Sequence, residues 1–392
     1  MMALHPLGSE TVYDVAIIGA GIVGASCADE AAAADLRVVV IESRGIGGGA
    51  TAAGMGHIVC MDDSEAQFAL THYSRELWRR LASELPPDVE FNPCGTLWIA
   101  ADDEEMTEVL RKAAYFGARD VRTEVLDTTQ LARLEPNLRP GLAGALLVCD
   151  DAVIYPPCAA RFLLERACAR GAAMAHGWVE HIDSRNPMVI KLSDGRSLRA
   201  AIVVYAGGAW TPELAPLLAE GFPMPVRKRK GHLVITDRYP GFVRHQLVEL
   251  GYLKSAHSVS ADSVAFNIQP RTNGQVLIGS SRQFGDEGST VNPAILTRML
   301  ERAHEYMPGL ANLTAIRVWT GFRAATPDKL PLIGPYPGDA RRILATGHEG
   351  LGITTSLATG RLLVDQLIGR ASAIPVEPYW PKRMDKEAAH AH

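Results

Sequence analysis

Tyr13-Asp14-Val15-Ala16-Ile17-Ile18-Gly19-Ala20-Gly21-Ile22-Val23-Gly24-Ala25-Ser26-Cys27-Ala28 opens a stretch that closes on Val38-Val39-Val40-Ile41-Glu42. Val15–Ile18 reads as an apolar strand and Gly19–Gly24 as a glycine turn, and the small residues from Ala25 into the Ala31–Ala34 run continue as a helix. Val38–Ile41 is a second strand, ended by an acid. In this order they form a βαβ unit shaped to hold a dinucleotide. Gly19 permits the tight turn, Gly21 lets backbone approach a pyrophosphate, and Gly24 lets the helix lie close to the sheet. Ala20, Ile22 and Val23 complete a loop that sets the phosphate against the unpaired N–H groups and dipole of the helix N-terminus. Glu42 follows Gly21 by about the twenty residues expected of an acid that accepts ribose hydroxyls, and it disfavours a 2′-phosphate. NADP is therefore the least favoured ligand, while NAD and FAD both stay open.

A chain of 392 residues is too long for one simple core, which predicts two domains or one large elaborated one. With 47% apolar residues, 21% charged and a net charge of −5, it reads as an ordinary soluble globular protein. No acidic or basic excess points to nucleic acid or to an anionic membrane. Arg227-Lys228-Arg229-Lys230 is the one basic cluster, and it reads as the solvated start of the apolar strand His232–Ile235. Met1–Glu10 lacks the apolar core of a secretory signal, and no stretch approaches the run of about eighteen apolar residues that a membrane span needs. Cys27, Cys60, Cys94, Cys149, Cys158 and Cys168 form no C-x-x-C pair, which argues against zinc, an iron–sulfur cluster or a disulfide framework. No metal site is expected, and the reducing cytoplasm is the simplest location. Cys60 falls close to the presumed cofactor region and reads as a buried free thiol.

Further along, a 3.6-residue period of apolar side chains predicts a helix over 64–85, broken by Pro86-Pro87. A strand follows at Gly95–Ala100 and a helix at Asp102–Phe116, with Asp103, Glu104 and Glu105 in its first turn and Gly117 at its end. Strand character returns from Ala143, and Pro156-Pro157 opens a helix over Cys158–Arg170. Short strands follow at Ala173–Ala175 and Met188–Leu192. Ala201–Ala206 is an apolar strand running into Gly207-Gly208-Ala209-Trp210, of the kind buried in a parallel sheet with its exit near a ligand. Segment 226–318 differs, with alternating strands at His232–Ile235, Val264–Gln269 and Gln275–Gly279, a hairpin turn at Thr272-Asn273-Gly274 and a helix over Pro293–Tyr306. Leu344–Thr354 repeats the strand-to-glycine-to-helix design, and its helix continues to about Leu367.

These pieces, in this order, resemble the FAD-dependent oxidoreductases of the D-amino-acid oxidase type, which include glycine oxidase, sarcosine oxidase and D-amino-acid dehydrogenases. The likeness runs from Tyr13 to about Gly369. It rests on Gly19–Gly24 with Glu42, on Gly47-Gly48-Gly49-Ala50-Thr51-Ala52-Ala53-Gly54-Met55-Gly56, and on Ala206–Trp210. It rests also on Trp319-Thr320-Gly321-Phe322-Arg323-Ala324 through Gly334, and on Gly347-His348-Glu349-Gly350-Leu351-Gly352-Ile353-Thr354. The implied fold is α/β: a Rossmann-like, doubly wound FAD-binding domain of the two-dinucleotide-binding type, with an antiparallel-sheet α+β substrate domain. The implied boundaries are 11–85, 143–225 and 319–375 for the FAD-binding part, and 86–142 and 226–318 for the substrate-binding part.

The resemblance implies non-covalent FAD, since Pro331–Pro335 has no cysteine and no histidine neighbours Thr51. The cofactor set it implies is Gly19–Gly24, Glu42, Ser43, Arg44, Gly49, Ala50, Thr51, Ala53–Gly56, Val179, Ala206, Gly207, Trp210, Arg323 and His348–Thr354. In that set Val179 falls where the family's backbone meets adenine, although a plain sheet valine explains it equally. FAD supplies the redox chemistry, and the protein orients the substrate and stabilises developing charge. The last loop, with its positive helix end, suits the second task. Arg323 falls where glycine oxidase-like enzymes bind the substrate carboxylate, a role that suits a guanidinium fork. His57 and Tyr252 are the other candidate catalytic residues, each equally compatible with an ordinary structural position.

The implied reaction is oxidation of a small amino or imino acid at Cα–N, with oxygen, a quinone or a protein carrier as electron acceptor. Ala52–Val59 followed by Met61-Asp62-Asp63 looks most like bacterial cis-4-hydroxy-D-proline dehydrogenases. Glycine, sarcosine or D-amino-acid oxidation is the alternative, and a flavin-bearing subunit of an electron-transfer complex is an alternative of another class. Homo- or hetero-oligomeric state and peripheral attachment to an inner membrane stay open.

Overall fold

The computed structural model describes residues 11–218, 222, 224–251 and 262–384. In chain order, β1 (Val12–Ile18), α1 (Ile22–Ala33), β2 (Val38–Glu42), α2 (Ala50–Ala53), β3 (His57–Ile58) and α3 (Glu65–Leu81) come first. β4 (Thr96–Ala100), α4 (Asp103–Gly117), β5 (Thr123–Asp127), α5 (Thr128–Leu134), β6 (Gly144–Val148), β7 (Ala152–Val153) and α6 (Pro156–Ala169) follow. Next are β8 (Ala173–His176), β9 (Val179–Asp183), β10 (Met188–Leu192), β11 (Ser197–Tyr205), β12 (Arg227–Arg238), β13 (Gln246–Glu249), β14 (Ser263–Pro270) and β15 (Gln275–Arg282). The chain then runs through α7 (Pro293–Tyr306), β16 (Ala315–Ala325), β17 (Leu332–Tyr336), β18 (Asp339–Thr346) and α8 (Gly352–Ile368).

Two large sheets organise these elements. The first has the order β17-β18-β11-β1-β2-β8, with the β9–β10 ribbon attached to β11. Its central pairs, β18·β11, β11·β1, β1·β2 and β2·β8, are parallel. Val38–Ile41 is shielded on both faces, which is why it reads as an unbroken apolar run instead of an alternating one. One face packs on the apolar sides of α1, α6 and α8. The other packs on the β9–β10 ribbon and the 3-10 segment Gly208–Leu217. α1 is built from small residues because α8 lies directly against it: a Cβ on Gly360 would come within 2.7 Å of the Ser26 carbonyl oxygen.

The second sheet has the order β16-β12-β15-β14-β13-β4-β6-β5. α7 covers one face, its start capped by Asn292, whose side chain accepts from the Ala294 and Ile295 N–H groups, with Pro293 at the first helical position. Ile295, Met299, Ala303 and Tyr306 form its buried stripe, and Tyr306 stacks on Phe266 of β14 at 4.5 Å. Gly274, at φ +88°, closes the β14–β15 hairpin where the Asn-Gly signal placed it.

Sheet membership departs from the expected boundaries at two strands. β6, expected with the FAD-binding part, pairs with β4 and β5, and β16 pairs along its whole length with β12 of the second sheet. Nor is the second sheet wholly antiparallel, because β13 and β4 run parallel. The basic run at 227–230 is not solvated throughout: β12 lies between β15 and β16, so Arg229 is 7% exposed and Lys230 fully buried. Lys230 is neutralised there by Asp286 at 2.7 Å.

Candidate active site

A cleft runs from the C-terminal ends of β1 and β2 to the face of the second sheet opposite α7, enclosing about 2420 Å³ with its open mouths included. Ligands in open α/β sheets bind at such strand ends. Gly19, at φ +111°, turns the chain there, and a Cβ on it would meet the Ala206 carbonyl oxygen at 2.6 Å. No side chain caps α1, and Thr51 Oγ1 accepts the Ile22 N–H at 3.0 Å, tying the glycine turn to the small-residue loop around α2. That loop is lean for a reason: a Cβ on Gly49 would meet Trp210 at 2.9 Å, and one on Gly54 would meet Ile353 at 2.7 Å. A second uncapped helix N-terminus, that of α8, also opens onto the cleft through Gly350, Leu351, Gly352 and Ile353. The two positive helix ends and the bare backbone between them suit an elongated anionic ligand.

At the far end of β2, Glu42 Oε2 accepts from Ala20 N–H at 2.7 Å, and Oε1 accepts from Arg44 and Gly45 N–H at 2.7 and 3.3 Å. A carboxylate has about four acceptor positions, so Oε2 keeps one. Arg44 stacks over the Trp210 ring at 5.1 Å, and Val179 lines the same end.

At the other end the second sheet supplies the wall. The Arg323 side chain crosses over Gly231, where any Cβ would strike the guanidinium at 2.5 Å, and its Nη1 donates to the Ser281 carbonyl at 2.9 Å. Ser281 is itself held by His232, whose backbone N–H and Nδ1 both meet Ser281 Oγ at 2.9 Å, while His232 Nε2 accepts the Asn292 N–H. That acceptor role puts the ring proton on Nδ1, so a neutral imidazole fixes the end of β15 that in turn fixes Arg323. Arg229, beside Arg323 on the neighbouring strand, forms a buried ion pair with Glu349 of the α8 loop. His57, at the start of β3, faces Arg323. Burial, with a smaller push from the Arg323 charge, takes its imidazole down to about 4 against a hydrogen bond to Gln269, so it is neutral at physiological pH.

The sequence profile described as DAO, FAD dependent oxidoreductase, matches residues 14–366. The chain belongs to this family. A glycine oxidase of Pseudomonas aeruginosa is 29% identical over 382 residues, covering 94% of this chain and 98% of that protein. The hydrogen cyanide synthase subunit HcnC of Pseudomonas protegens is 28% identical, covering 95% and 96%. The crystal structure of glycine oxidase from Geobacillus kaustophilus superposes with a TM-score of 0.83 at 26% identity, covering 94% and 98%. L-proline dehydrogenase from P. horikoshii shares the fold, with a TM-score of 0.85 at 24% identity over 96% and 98%.

For an FAD-dependent oxidoreductase the cleft fits its cofactor, because it is lined by the bare backbone of Gly19, Gly21, Gly49 and Gly54 and opens onto two uncapped helix N-termini that suit a pyrophosphate. Of the expected set, Gly19, Gly21, Ile22, Val23, Glu42, Ser43, Arg44, Gly49, Ala50, Thr51, Ala53–Gly56, Val179, Ala206, Gly207, Trp210, Arg323 and 348–353 all line the cleft. Ala20, Gly24 and Thr354 do not. Ala20 is spent on Glu42, Gly24 sits against the Gly19 carbonyl, and the Thr354 hydroxyl donates to the His57 carbonyl at 2.7 Å. His57 lines the cleft, whereas Tyr252 lies outside the described residues. His348 lines the cleft, and its Nε2 meets Thr359 Oγ1 at 3.0 Å; burial lowers its imidazole to about 3. Cys60 is a buried thiol outside the cleft lining, and Arg271 is engaged by Glu90 and Tyr155.

Sequence reading missed Arg229, Trp98, Gln246 and Asn267, all of which line the cleft. For Arg229 the signal was present but misread: a basic run on a strand long enough to be central has to bury some of its charges.

Proposed function

We propose that this FAD-dependent oxidoreductase oxidises the Cα–N bond of a small amino or imino acid. The observation that carries the reading is Arg323, a guanidinium held by the Ser281 carbonyl and turned into a cleft whose opposite wall is the α2 loop. Its fork binds the substrate carboxylate at two points, which fixes orientation as well as position. FAD, when bound, supplies the redox chemistry by accepting a hydride equivalent from the substrate. The cradle for it is Gly19–Val23, Glu42, the loop 49–56 and the α8 loop, held without a covalent bond, and no cysteine among the described residues lines the cleft. The α8 N-terminus offers backbone N–H groups to developing negative charge. His57 is neutral and so does not compete with Arg323 for the carboxylate. With the amine entering neutral, no protein base is obligatory.

The finer reading is a cyclic imino acid, cis-4-hydroxy-D-proline first, acting as a dehydrogenase. Glycine or sarcosine oxidation is the second reading, favoured by the glycine oxidases among the relatives. A flavin-bearing subunit finds its support in the likeness to HcnC. The test is an anaerobic visible titration of the flavin with cis-4-hydroxy-D-proline, D-proline, sarcosine, glycine and D-alanine, followed by admission of air. Bleaching by the cyclic acids with slow recovery supports the finer reading. Bleaching by glycine or sarcosine alone with rapid recovery supports the second, and no bleaching by any of them refutes amino-acid oxidation.

A further inference from the structure

Beyond Arg323 the second sheet presents buried polar groups that neither the carboxylate anchor nor the cofactor cradle uses. Trp98, Gln246 and Asn267 are 3%, 2% and 7% exposed, and all three line the cleft. Trp98 Nε1, Gln246 Oε1 and Asn267 Oδ1 have no hydrogen-bond partner among the described residues. Buried polar atoms are almost always paired, so three orphans on one wall of a cleft mark a place where something else completes them.

Strand register puts them together. Val248 of β13 pairs with Trp98 of β4 on one side and Asn267 of β14 on the other, so these side chains form a row on one sheet face. Gln246, two residues before Val248, projects from the same face. Asn267 in turn pairs with Gly279 of β15, two residues before Ser281, which accepts from Arg323. From the Arg323 contact to Asn267 is thus one strand sideways, about 4.8 Å, and two residues along, about 6.6 Å. A small acid gripped by Arg323 spans that gap if it carries a hydrogen-bonding group a few bonds from its carboxylate.

We propose that Trp98, Gln246 and Asn267 form a recognition subsite for a hydroxyl at the distal end of the substrate. This rests on the reading of Arg323 as the carboxylate anchor. A hydroxyl donates once and accepts twice, so it donates to one of the two amide oxygens while accepting from the indole N–H. An unsubstituted substrate displaces water from these atoms and leaves them unpaired, a penalty equivalent to about 5- to 150-fold per stranded group. The subsite therefore selects a hydroxylated amino or imino acid chiefly by rejecting its bare counterpart.

The test uses the holoenzyme. Apparent second-order rate constants for anaerobic flavin reduction are compared for cis-4-hydroxy-D-proline and D-proline in the wild type, Asn267→Leu, Gln246→Met and Trp98→Phe, with the flavin absorbance of each variant reporting cofactor content. The expected result is a wild-type preference of at least about fivefold for the hydroxylated acid, reduced in Asn267→Leu or Gln246→Met through loss of the hydroxylated rate. Equal rates in the wild type, or a preference that no variant changes, overturn the subsite. Reduction by glycine or sarcosine alone, abolished in Arg323→Met, overturns the subsite while the anchor stands. Reduction that is insensitive to Arg323→Met, or absent with every amino or imino acid, overturns both.

Discussion

Gly321→Ala probes how closely the cofactor loop and the substrate sheet are locked together where β16 meets α2. A Cβ built on Gly321 of β16 lands 2.2 Å from Ala53 Cβ at the end of α2, while the next nearest atoms, Ala53 Cα and O, lie at 3.6 and 3.8 Å. The clash is therefore methyl on methyl and nothing else. Carbon atoms rest at about 3.5–4.0 Å, so the two elements have to part by roughly 1.5 Å, and overpacking of this kind costs about 1–3 kcal/mol. Ala50, Thr51, Ala53 and Gly54 line the cleft, and Thr51 holds the α1 N-terminus, so the displacement falls on the cradle. The expected result is FAD affinity weakened by about 5- to 150-fold, the same energy expressed as a ratio. Fluorescence titration of the apoprotein measures it, with thermal unfolding in parallel. Ala53→Gly removes the struck methyl, so the double variant should recover most of the loss, with a coupling of at least about 1 kcal/mol. Additive losses in the double variant would refute the reasoning.

With Arg323 as the proposed carboxylate anchor, Arg323→Met would remove two charge-assisted hydrogen bonds, at about 1.5–3 kcal/mol each. Steady-state kcat/KM should fall by about 10²- to 10⁴-fold, and an unchanged value defeats the assignment. Arg229→Met strands the buried Glu349 carboxylate and should cost about 3–5 kcal/mol in denaturant unfolding, part of it regained in the double variant with Glu349→Gln. Glu42→Ala removes the acceptor that organises Ala20, Arg44 and Gly45; the protein should lose flavin on dialysis, and full retention would show the acid to be dispensable. His348 has its imidazole lowered by burial from 6.5 to about 3, so between those values the unfolded chain holds a proton that the folded chain does not. Stability therefore falls as the pH drops through that window, by about 2 kcal/mol at pH 5. His348→Gln should flatten that loss in urea midpoints taken between pH 6.5 and 5.

The fold was legible where one segment carries its own evidence. The apolar run Val38–Ile41, the capped and periodic α7 and the Asn-Gly hairpin each state their conformation within a dozen residues. What stayed hidden was partnership. β13 pairs with β4 across some 150 intervening residues, and β6 joins the second sheet although its sequence fits either. Nothing local distinguishes the two outcomes, because a strand's side-chain pattern records which faces are covered and not which neighbour lies at its edge.

The same distinction divides the site. Glycine loops are readable because a backbone that turns at φ +111° or passes within 2.6 Å of a carbonyl admits one residue type, and the requirement is local. Arg323 was singled out through its resemblance to the family motif, but its support is assembled from two other strands: Ser281 on β15, and His232 with Gly231, beneath the guanidinium, on β12. Asn267 and Gln269 alternate with Phe266 and Ile268, the pattern of an ordinary half-buried strand with its polar side to water. Here the apolar side meets α7, and the polar side is buried against the cleft and the α2 loop, where Gln269 donates to the Met55 carbonyl at 2.7 Å. A strand facing solvent and a strand facing a binding cleft have the same alternation. The difference lies in whether the polar atoms find water or stay waiting for a ligand, and that is fixed by the second wall, which comes from residues more than 200 positions away in the chain.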